Sequence, residues 1–364
     1  MRNRRKKIIK KRIITVLVAL ILLVALYIGY VWFSYERLPE SQSLDTNLAG
    51  AYSYFSDNEA INTGRAYNFM TYNIGFGAYT TDYSFFMDGG KYFGAVSEEG
   101  LMANLCEITD VMNRMGADFM LLQEVDIDGT RTFHVNEIDM LNEFITGYYY
   151  NYAVNYNNTF VPYPWPHPYG ANKSAIVTYS KGRISNAVRK SLPVPTDFSK
   201  LFDLDRCYSV TTIPTANEKK LLIYNVHLSA YTQNSGVKEA QLRKLFEDME
   251  EQYKAGNYVV CGGDFNMNLK GDSEGDKDAS WSKNFPRDML PNGFALALDF
   301  AEPNCIVHNS CRNANEPYNK DTTFTVSVDG FIVSDNIKVN YYINGDWGYE
   351  YSDHDPVLMQ VVLK

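Results

Sequence analysis

Cysteine is scarce in this chain, with five among 364 residues. Five are too few for a disulfide framework, and none stands in the Cys/His spacing that holds zinc. Cys106 falls on a helical face, and Cys207 and Cys261 fall in strand-like runs, so all three read as small core residues. Cys305 and Cys311 flank a loop and could pair in an oxidising compartment. No internal repeat is found, nor a basic tract interleaved with aromatics that would track a nucleic-acid strand. Charge is also thin, 21% of residues against 45% hydrophobic, so the chain can bury a full core.

The charge that exists is unevenly placed. Residues 1–12 contain Arg2, Arg4, Arg5, Lys6, Lys7, Lys10, Lys11 and Arg12 and no acid. The formal net charge of −9 therefore hides a remainder with 26 basic against 43 acidic residues, a net −17. Such a body is poorly made for gripping long polyanions, because that grip rests on neutralising phosphates with Lys and Arg. This disfavours a processive DNA-binding enzyme but leaves room for a nuclease with a local basic groove or bound cations.

Residues 13–35 then run for 23 positions without a charge. About 20 predominantly apolar helical residues cross a bilayer core. The basic cluster precedes the run and Glu36 follows it, which places residues 1–12 in the cytoplasm and the rest outside. Trp32, Phe33 and Tyr35 suit an interfacial aromatic belt. A cleaved signal peptide would have a shorter apolar stretch and a small-x-small site, whereas this run ends in Tyr-Val-Trp-Phe-Ser-Tyr. The expected organisation is a cytoplasmic basic segment (1–12), a transmembrane anchor (13–35), a stalk (36–65) and one extracellular catalytic domain (66–364) of a single-pass cell-membrane protein.

Within that domain strands and helices alternate. Residues 68–73 read as a strand. Residues 98–115 carry Leu101, Leu105, Ile108, Met112 and Met115 at helical spacing, and Gly116 follows as a stop. Residues 117–122, 220–226, 258–261, 324–328, 330–333, 338–342 and 357–363 read as further strands. Residues 237–254 read as a helix with Leu242, Leu245, Phe246, Met249 and Tyr253 inward. Residues 161–170, with alternate prolines, predict a rigid extended loop, and residues 270–293 a long polar surface loop. Mixed strands with helices laid outside predict an α/β sandwich.

Six predicted strand ends carry carboxylates, carboxamides or imidazoles: Asn73, Glu124, His227, Asp264 with Asn266, Asp329, and Asp353 with His354. Hydrolysis of a phosphate ester needs a hard cation on the phosphoryl oxygens, an aligned and deprotonated water, and stabilisation of the developing charge. Asn73, Glu124 and Asp353 supply oxygen donors of the kind Mg²⁺ takes. Asp264 can orient and deprotonate water while the Asn266 carboxamide contacts a phosphate oxygen, with alternation placing both on one face. His227 and His354 can donate to phosphoryl oxygens, and Asp329 could fix the tautomer of His354. Taken singly each has a plainer reading. Asn73 before Gly75 and Gly77 suits a turn, Asp264 after two glycines an Asx turn, His227 a satisfied core histidine, and residues 353–356 a hairpin entry. It is the joint occurrence that argues for a site. His134, His167 and His308 match no motif and read as surface or loop residues.

The ordered set Thr71-Tyr72-Asn73, Gln123-Glu124, Asn225-Val226-His227-Leu228, Gly263-Asp264-Phe265-Asn266, Asp329-Gly330-Phe331 and Ser352-Asp353-His354-Asp355-Pro356-Val357 resembles the endonuclease/exonuclease/phosphatase (DNase I-like) superfamily. The resemblance spans about residues 67–364. It implies a four-layer α/β sandwich of two packed mixed β-sheets flanked by helices, here preceded by one N-terminal transmembrane helix. It also implies Mg²⁺, with Mn²⁺ as a substitute, held by Asn73 and Glu124 beside Asp353. His227 would contact phosphate, Asp264 and Asn266 would position water, and the Asp329/His354 pair would complete the site. The expected activity is metal-dependent hydrolysis of a phosphate ester. The substrate classes left open are nucleic acid, phospholipid headgroups and small phosphorylated molecules. The alternative from another class is a catalytically silent, membrane-tethered binding module of the same fold. No obligate protein partner is inferred.

Overall fold

The computed structural model describes residues 2–34, 38–50, 60–194, 205–230, 235–272, 282–300, 305–306 and 308–364. Its first element is one long helix, α1 (Arg2–Ser34). The first eight strands are β1 (Ser41–Ser43), β2 (Asn47–Ala49), β3 (Ala66–Asn73), β4 (Phe119–Gly129), β5 (Tyr148–Asn157), β6 (Asn172–Ser180), β7 (Asn186–Ser191) and β8 (Cys207–Pro214). They are followed by β9 (Lys220–His227), β10 (Tyr258–Asp264), β11 (Phe294–Leu296), β12 (Cys305–Ile306), β13 (Cys311–Arg312), β14 (Thr325–Val326), β15 (Asp329–Ser334), β16 (Ile337–Asn344) and β17 (Val357–Leu363). Helices α2 (Glu98–Met115), α3 (Glu137–Phe144), α4 (Ser235–Lys254) and the short α5 (Ala297–Phe300) complete it.

The strands form two large mixed sheets. One has the order β1-β7-β8-β9-β10-β15-β11, the other β12-β16-β17-β3-β4-β6-β5-β2, and β13 and β14 pair separately. Period-2 alternation sorts their side chains into three cores. Phe69, Phe119, Leu121, Ile223, Val260, Phe331 and Met359 fill the space between the sheets. Val259, Cys261 and Ile332, on the opposite face of the first sheet, pack on Leu242, Leu245, Phe246 and Met249 of α4. Met70, Tyr72, Met120 and Leu122, on the outer face of the second, pack on Leu101, Leu105, Ile108 and Met112 of α2 and on Ile138 and Leu141 of α3. The result is the expected four-layer sandwich, α4 over one sheet and α2 with α3 over the other.

Helix α2 has the bounds its spacing predicts. The Ser97 side chain accepts from the Gly100 N–H at the start, and Gly116 closes the helix at φ 60°. Cys106 is exposed rather than buried, because it sits one position beyond the inward row. Cys207 and Cys261 are buried as expected. Cys311 is a free thiol whose Sγ donates to the Arg312 carbonyl at 3.5 Å, and the side chain of Cys305, the other half of the possible pair, lies outside the described residues. His134, His167 and His308 are exposed.

Part of the segment read as a stalk lies in the sheets. β1 pairs with β7 and β2 with β5, each as an edge strand. Runs of three residues are too short for a periodic signal. Residues 51–59, in the same segment, and residues 273–281, in the expected 270–293 loop, lie outside the described residues.

Candidate active site

The inward rows of the strands end in polar residues, and those ends converge. In β3 the row is Tyr67, Phe69, Thr71, Asn73, and in β9 it is Leu221, Ile223, Asn225, His227. β10 contributes Tyr258, Val260, Gly262, Asp264, while β15 begins at Asp329 and continues with Phe331 and Val333. Strand register then aligns the ends. Asp264 stands opposite His227 across the parallel pair and opposite Asp329 across the antiparallel one. Asn73 stands opposite Gln123 in the other sheet. The site is thus the polar rim of the core between the sheets.

Just below the rim a buried amide network joins the two sheets. Gln123 Nε2 donates to Asn225 Oδ1 at 2.8 Å. Asn225 Nδ2 donates to the Val177 and Leu122 carbonyls at 2.9 and 3.2 Å. Thr71 Oγ1 donates to Gln123 Oε1 at 3.3 Å. Polar groups this deep are tolerated because they satisfy one another.

Two glycines permit the close approaches. At Gly263, with φ 145°, a Cβ would lie 2.0 Å from the Val226 carbonyl oxygen. Gly75, with φ 53°, would place one 3.0 Å from Asp353 Oδ1, so only glycine lets this turn pass the carboxylate. Glu124 and Asn266 adopt left-handed conformations, φ 54° and 50°, without being glycine. Backbone strain of this kind concentrates where geometry serves a site. At Glu124 the β4–β6 register shifts between Leu122 and Val125, which turns the carboxylate out of the alternating row.

Six side chains meet at the rim. Asn73 Nδ2 lies 3.1 Å from Asp264 Oδ2, 3.3 Å from Glu124 Oε1 and 3.5 Å from His354 Nε2. His227 Nε2 is 3.5 Å from Asp264 Oδ2 and 3.9 Å from Glu124 Oε1. His354 Nε2 is 3.9 Å from the same Asp264 oxygen, while its Nδ1 lies 2.7 Å from Asp329 Oδ2. Ser310 Oγ donates to that Asp329 oxygen at 2.7 Å and receives the Asp329 N–H. Asp353 joins the group electrostatically: its charge is a main cause, after burial, of the raised Glu124 pKa.

Asn266 differs from the alternation argument. β10 ends at Asp264, and Asn266 turns into the left-handed region, so its Nδ2 donates to the Leu228 carbonyl at 2.9 Å. Its backbone N–H donates to Asp264 Oδ1 at 2.8 Å and so orients that carboxylate.

Burial and neighbouring charge set the protonation states. Burial, reinforced by Asp329, pushes the Asp264 carboxyl up to about 7. Burial raises Asp353. Burial, then the Asp353 charge, raises the Glu124 carboxyl, against the opposing charges of Arg131 and His354. His227 is driven well below the ordinary imidazole range by burial, then by Arg206 and His354, and is neutral. His354 is raised well above that range: burial opposes its charge, but Asp329 overcomes it.

The donor set fits a hard divalent cation. Glu124 and Asp353 are two carboxylates that repel each other, and a cation between them would relieve that repulsion. Asn73 now turns its Nδ2 toward the carboxylates, while its Oδ1 accepts from the Gly75 N–H at 3.0 Å. To offer oxygen it would have to turn its amide over. Asp264, Asp329 and His354 also form a group with donor atoms within 4.8 Å of one another. That group is a poorer ion site, because Asp329 holds His354 protonated and a cationic imidazole has no lone pair to offer.

The sequence reading did not single out several neighbours of the site. Arg206 Nη1 donates to the His227 carbonyl at 3.2 Å, and Lys238 Nζ to the Asn266 carbonyl at 3.0 Å. Arg131 forms a buried pair with Asp126 at 2.7 Å and lies over the Phe76 ring at 3.9 Å. None lies in a strand-end motif, and isolated basic residues give no periodic signal.

Residues 70–354 match the model of the Endonuclease/Exonuclease/phosphatase family. Solved structures share the fold at low identity. ANGEL2, a 2′,3′-cyclic phosphatase solved with adenosine-2′,3′-vanadate, superposes with a TM-score of 0.54 at 15% identity over 88% of this chain and 98% of its own. A mannosyl-6-phosphatase from Bacteroides thetaiotaomicron gives 0.53 at 14% identity over 81% and 99%. An endonuclease/exonuclease/phosphatase from Bacteroides vulgatus gives 0.55 at 13% identity over 82% and 100%. No curated protein matches the chain.

Proposed function

The chain belongs to the endonuclease/exonuclease/phosphatase family, and from that premise we propose that it is a membrane-anchored, metal-dependent phosphoesterase whose catalytic domain lies outside the cytoplasmic membrane. The observation that carries the catalytic reading is the meeting of Asn73, Glu124, His227, Asp264 and His354 at one rim. Charge and span length support the anchor. α1 is long and apolar enough to cross a membrane, and its basic residues all lie at its start.

Glu124 and Asp353 would hold the cation, Mg²⁺ or Mn²⁺, with the Asn73 amide oxygen joining after the turn described above. When bound, the cation supplies charge neutralisation on the phosphoryl group. The protein residues do the rest. Asp264, with its pKa near neutrality, accepts a proton from the attacking water at Oδ2. Its other oxygen stays fixed by the Asn266 N–H. The new P–O bond forms as the ester P–O bond breaks, the leaving oxygen takes up a proton from solvent, and Asp264 later returns its own proton to solvent. His354, held cationic by Asp329, donates Nε2–H to a phosphoryl oxygen, and neutral His227 does the same from the other side. The Asn266 amide has a second hydrogen with which to contact phosphate.

A silent binding module would need neither an Asp–His pair nor a carboxylate with its pKa near 7. Nuclease and phospholipid phosphodiesterase activities both suit this site. A panel of DNA, RNA, sphingomyelin, phosphoinositides, a sugar phosphate and a chromogenic phosphodiester, each with Mg²⁺, Mn²⁺ and chelator, separates these from each other and from action on small phosphorylated molecules. Turnover of at least one with metal, lost in chelator, is expected. No turnover of any with either metal would refute the enzymatic reading.

A further inference from the structure

The loop between β5 and β6, residues 158–171, contains no Lys, Arg, Asp or Glu. Its base is fixed. Val161 and Gly170 exchange backbone hydrogen bonds at 3.0 Å, the Tyr169 N–H donates to the Tyr163 carbonyl at 3.1 Å, and Asn158 Nδ2 donates to the Gly170 carbonyl at 2.9 Å. Its tip is bare: Tyr163 is 71% and Trp165 86% exposed. Exposed aromatics grouped on an uncharged loop, unlike single exposed apolar residues, mark a surface that meets another apolar phase.

The neighbouring element says what covers them. Tyr27 of α1 donates its hydroxyl to the Phe160 carbonyl at 3.0 Å, and the Phe160 N–H reaches the Tyr30 hydroxyl at 3.4 Å. The uncharged run begins after Arg12, and about 20 residues are needed to cross the hydrocarbon core, which carries the span to about Trp32. Tyr27 and Tyr30 fall within its last turns. The loop therefore meets the helix at the depth of the outer bilayer interface. Six residues lie between the end of α1 at Ser34 and β1 at Ser41, and the seven steps reach at most about 25 Å, so the domain stays within that distance of the surface. Tyr and Trp, apolar with one polar atom, are the side chains that favour this zone.

The same loop borders the site. Gly129 pairs with Asn172 at its base, and Arg131 Nη1 donates to the Tyr169 hydroxyl at 3.2 Å. Arg131 lies over Phe76, three residues beyond Asn73, and acts electrostatically on Glu124.

We propose that residues 158–171 form a membrane-docking loop, with Tyr163 and Trp165 inserted in the interface of the bilayer that α1 crosses, so that the Glu124 side of the site faces the lipid headgroups. The proposal rests on the reading of α1 as an anchor and is independent of the chemistry assigned to the site. The test uses the full chain reconstituted in phosphatidylcholine vesicles carrying acyl-chain-brominated lipid, with one tryptophan retained. In one protein Trp165 remains and Trp32, Trp281 and Trp347 are changed to Phe. In the other Trp32 remains. The expected result is that both lose most of their fluorescence to the brominated lipid and that Trp165 emission is blue-shifted. Quenching of Trp32 with Trp165 unaffected overturns the docking loop while leaving the anchor in place. Quenching of neither overturns the anchor and the proposal with it.

Discussion

Asp329 Oδ2 lies 2.7 Å from His354 Nδ1, both side chains are buried, and Ser310 Oγ holds the same carboxylate oxygen at 2.7 Å. The pair fixes which imidazole nitrogen faces the site: with Nδ1 committed to Asp329, Nε2 is the one turned toward Asp264. It also keeps the ring cationic against the opposing effect of burial.

Asp329→Asn should preserve the volume but remove the charge. Turnover should fall about 100- to 10,000-fold, in the range of a lost acid–base or charge-stabilising group. KM should change far less than kcat, and circular dichroism should be unchanged. A fall confined to KM would mean that the pair serves binding alone.

Glu124→Gln keeps the side-chain shape and removes one of the two carboxylates assigned to the cation. The Mg²⁺ concentration for half-maximal activity should rise at least about tenfold, since even indirect partners of a metal are worth that much. Titration of activity with Mg²⁺ in both proteins checks it. An unchanged midpoint would remove Glu124 from the ligand set.

Asn225→Leu should remove the hydrogen bond from Gln123 Nε2, which keeps only its 3.2 Å bond to the Leu121 carbonyl, and those to the Leu122 and Val177 carbonyls. The expected destabilisation is about 3 kcal/mol, measured by denaturant unfolding of the detergent-solubilised chain. A near-neutral result would show that the amide network does not join the sheets energetically.

Lys238 carries a pH dependence whose sign can be worked out. Burial lowers its pKa to about 8, from about 10.4 unfolded. Between these values the unfolded chain binds more protons, so this group makes stability rise with pH across that window. Lys238→Met should therefore gain more stability, relative to wild type, at pH 7 than at pH 10.5. Unfolding midpoints across that range check it, and a constant difference would contradict it.

Strong periodicity and clear stops made α2 legible, and strand-end polar residues made the site legible as a set. The α/β sandwich followed from strands alternating with one-faced helices, and its four layers from the resemblance to the endonuclease/exonuclease/phosphatase superfamily. What stayed hidden depended on contacts distant in sequence or on single backbone torsions. β1 and β2 are too short to show alternation, and the left-handed turn at Asn266 re-aims a side chain that alternation would have sent inward. Cys106 lies beside an apolar face, where one position decides between core and solvent. Arg131 and Lys238 reach the site from elements that carry no motif.

Metal-dependent catalysis at the rim is read out by hydrolysis of a chromogenic phosphodiester by the full chain and by Asp264→Ala and His354→Ala, each with Mg²⁺ and with EDTA. Wild type should turn over with Mg²⁺, lose activity in EDTA and recover it on adding Mg²⁺, and either variant should fall by at least about 100-fold. Equal rates from all three proteins with and without EDTA would contradict it.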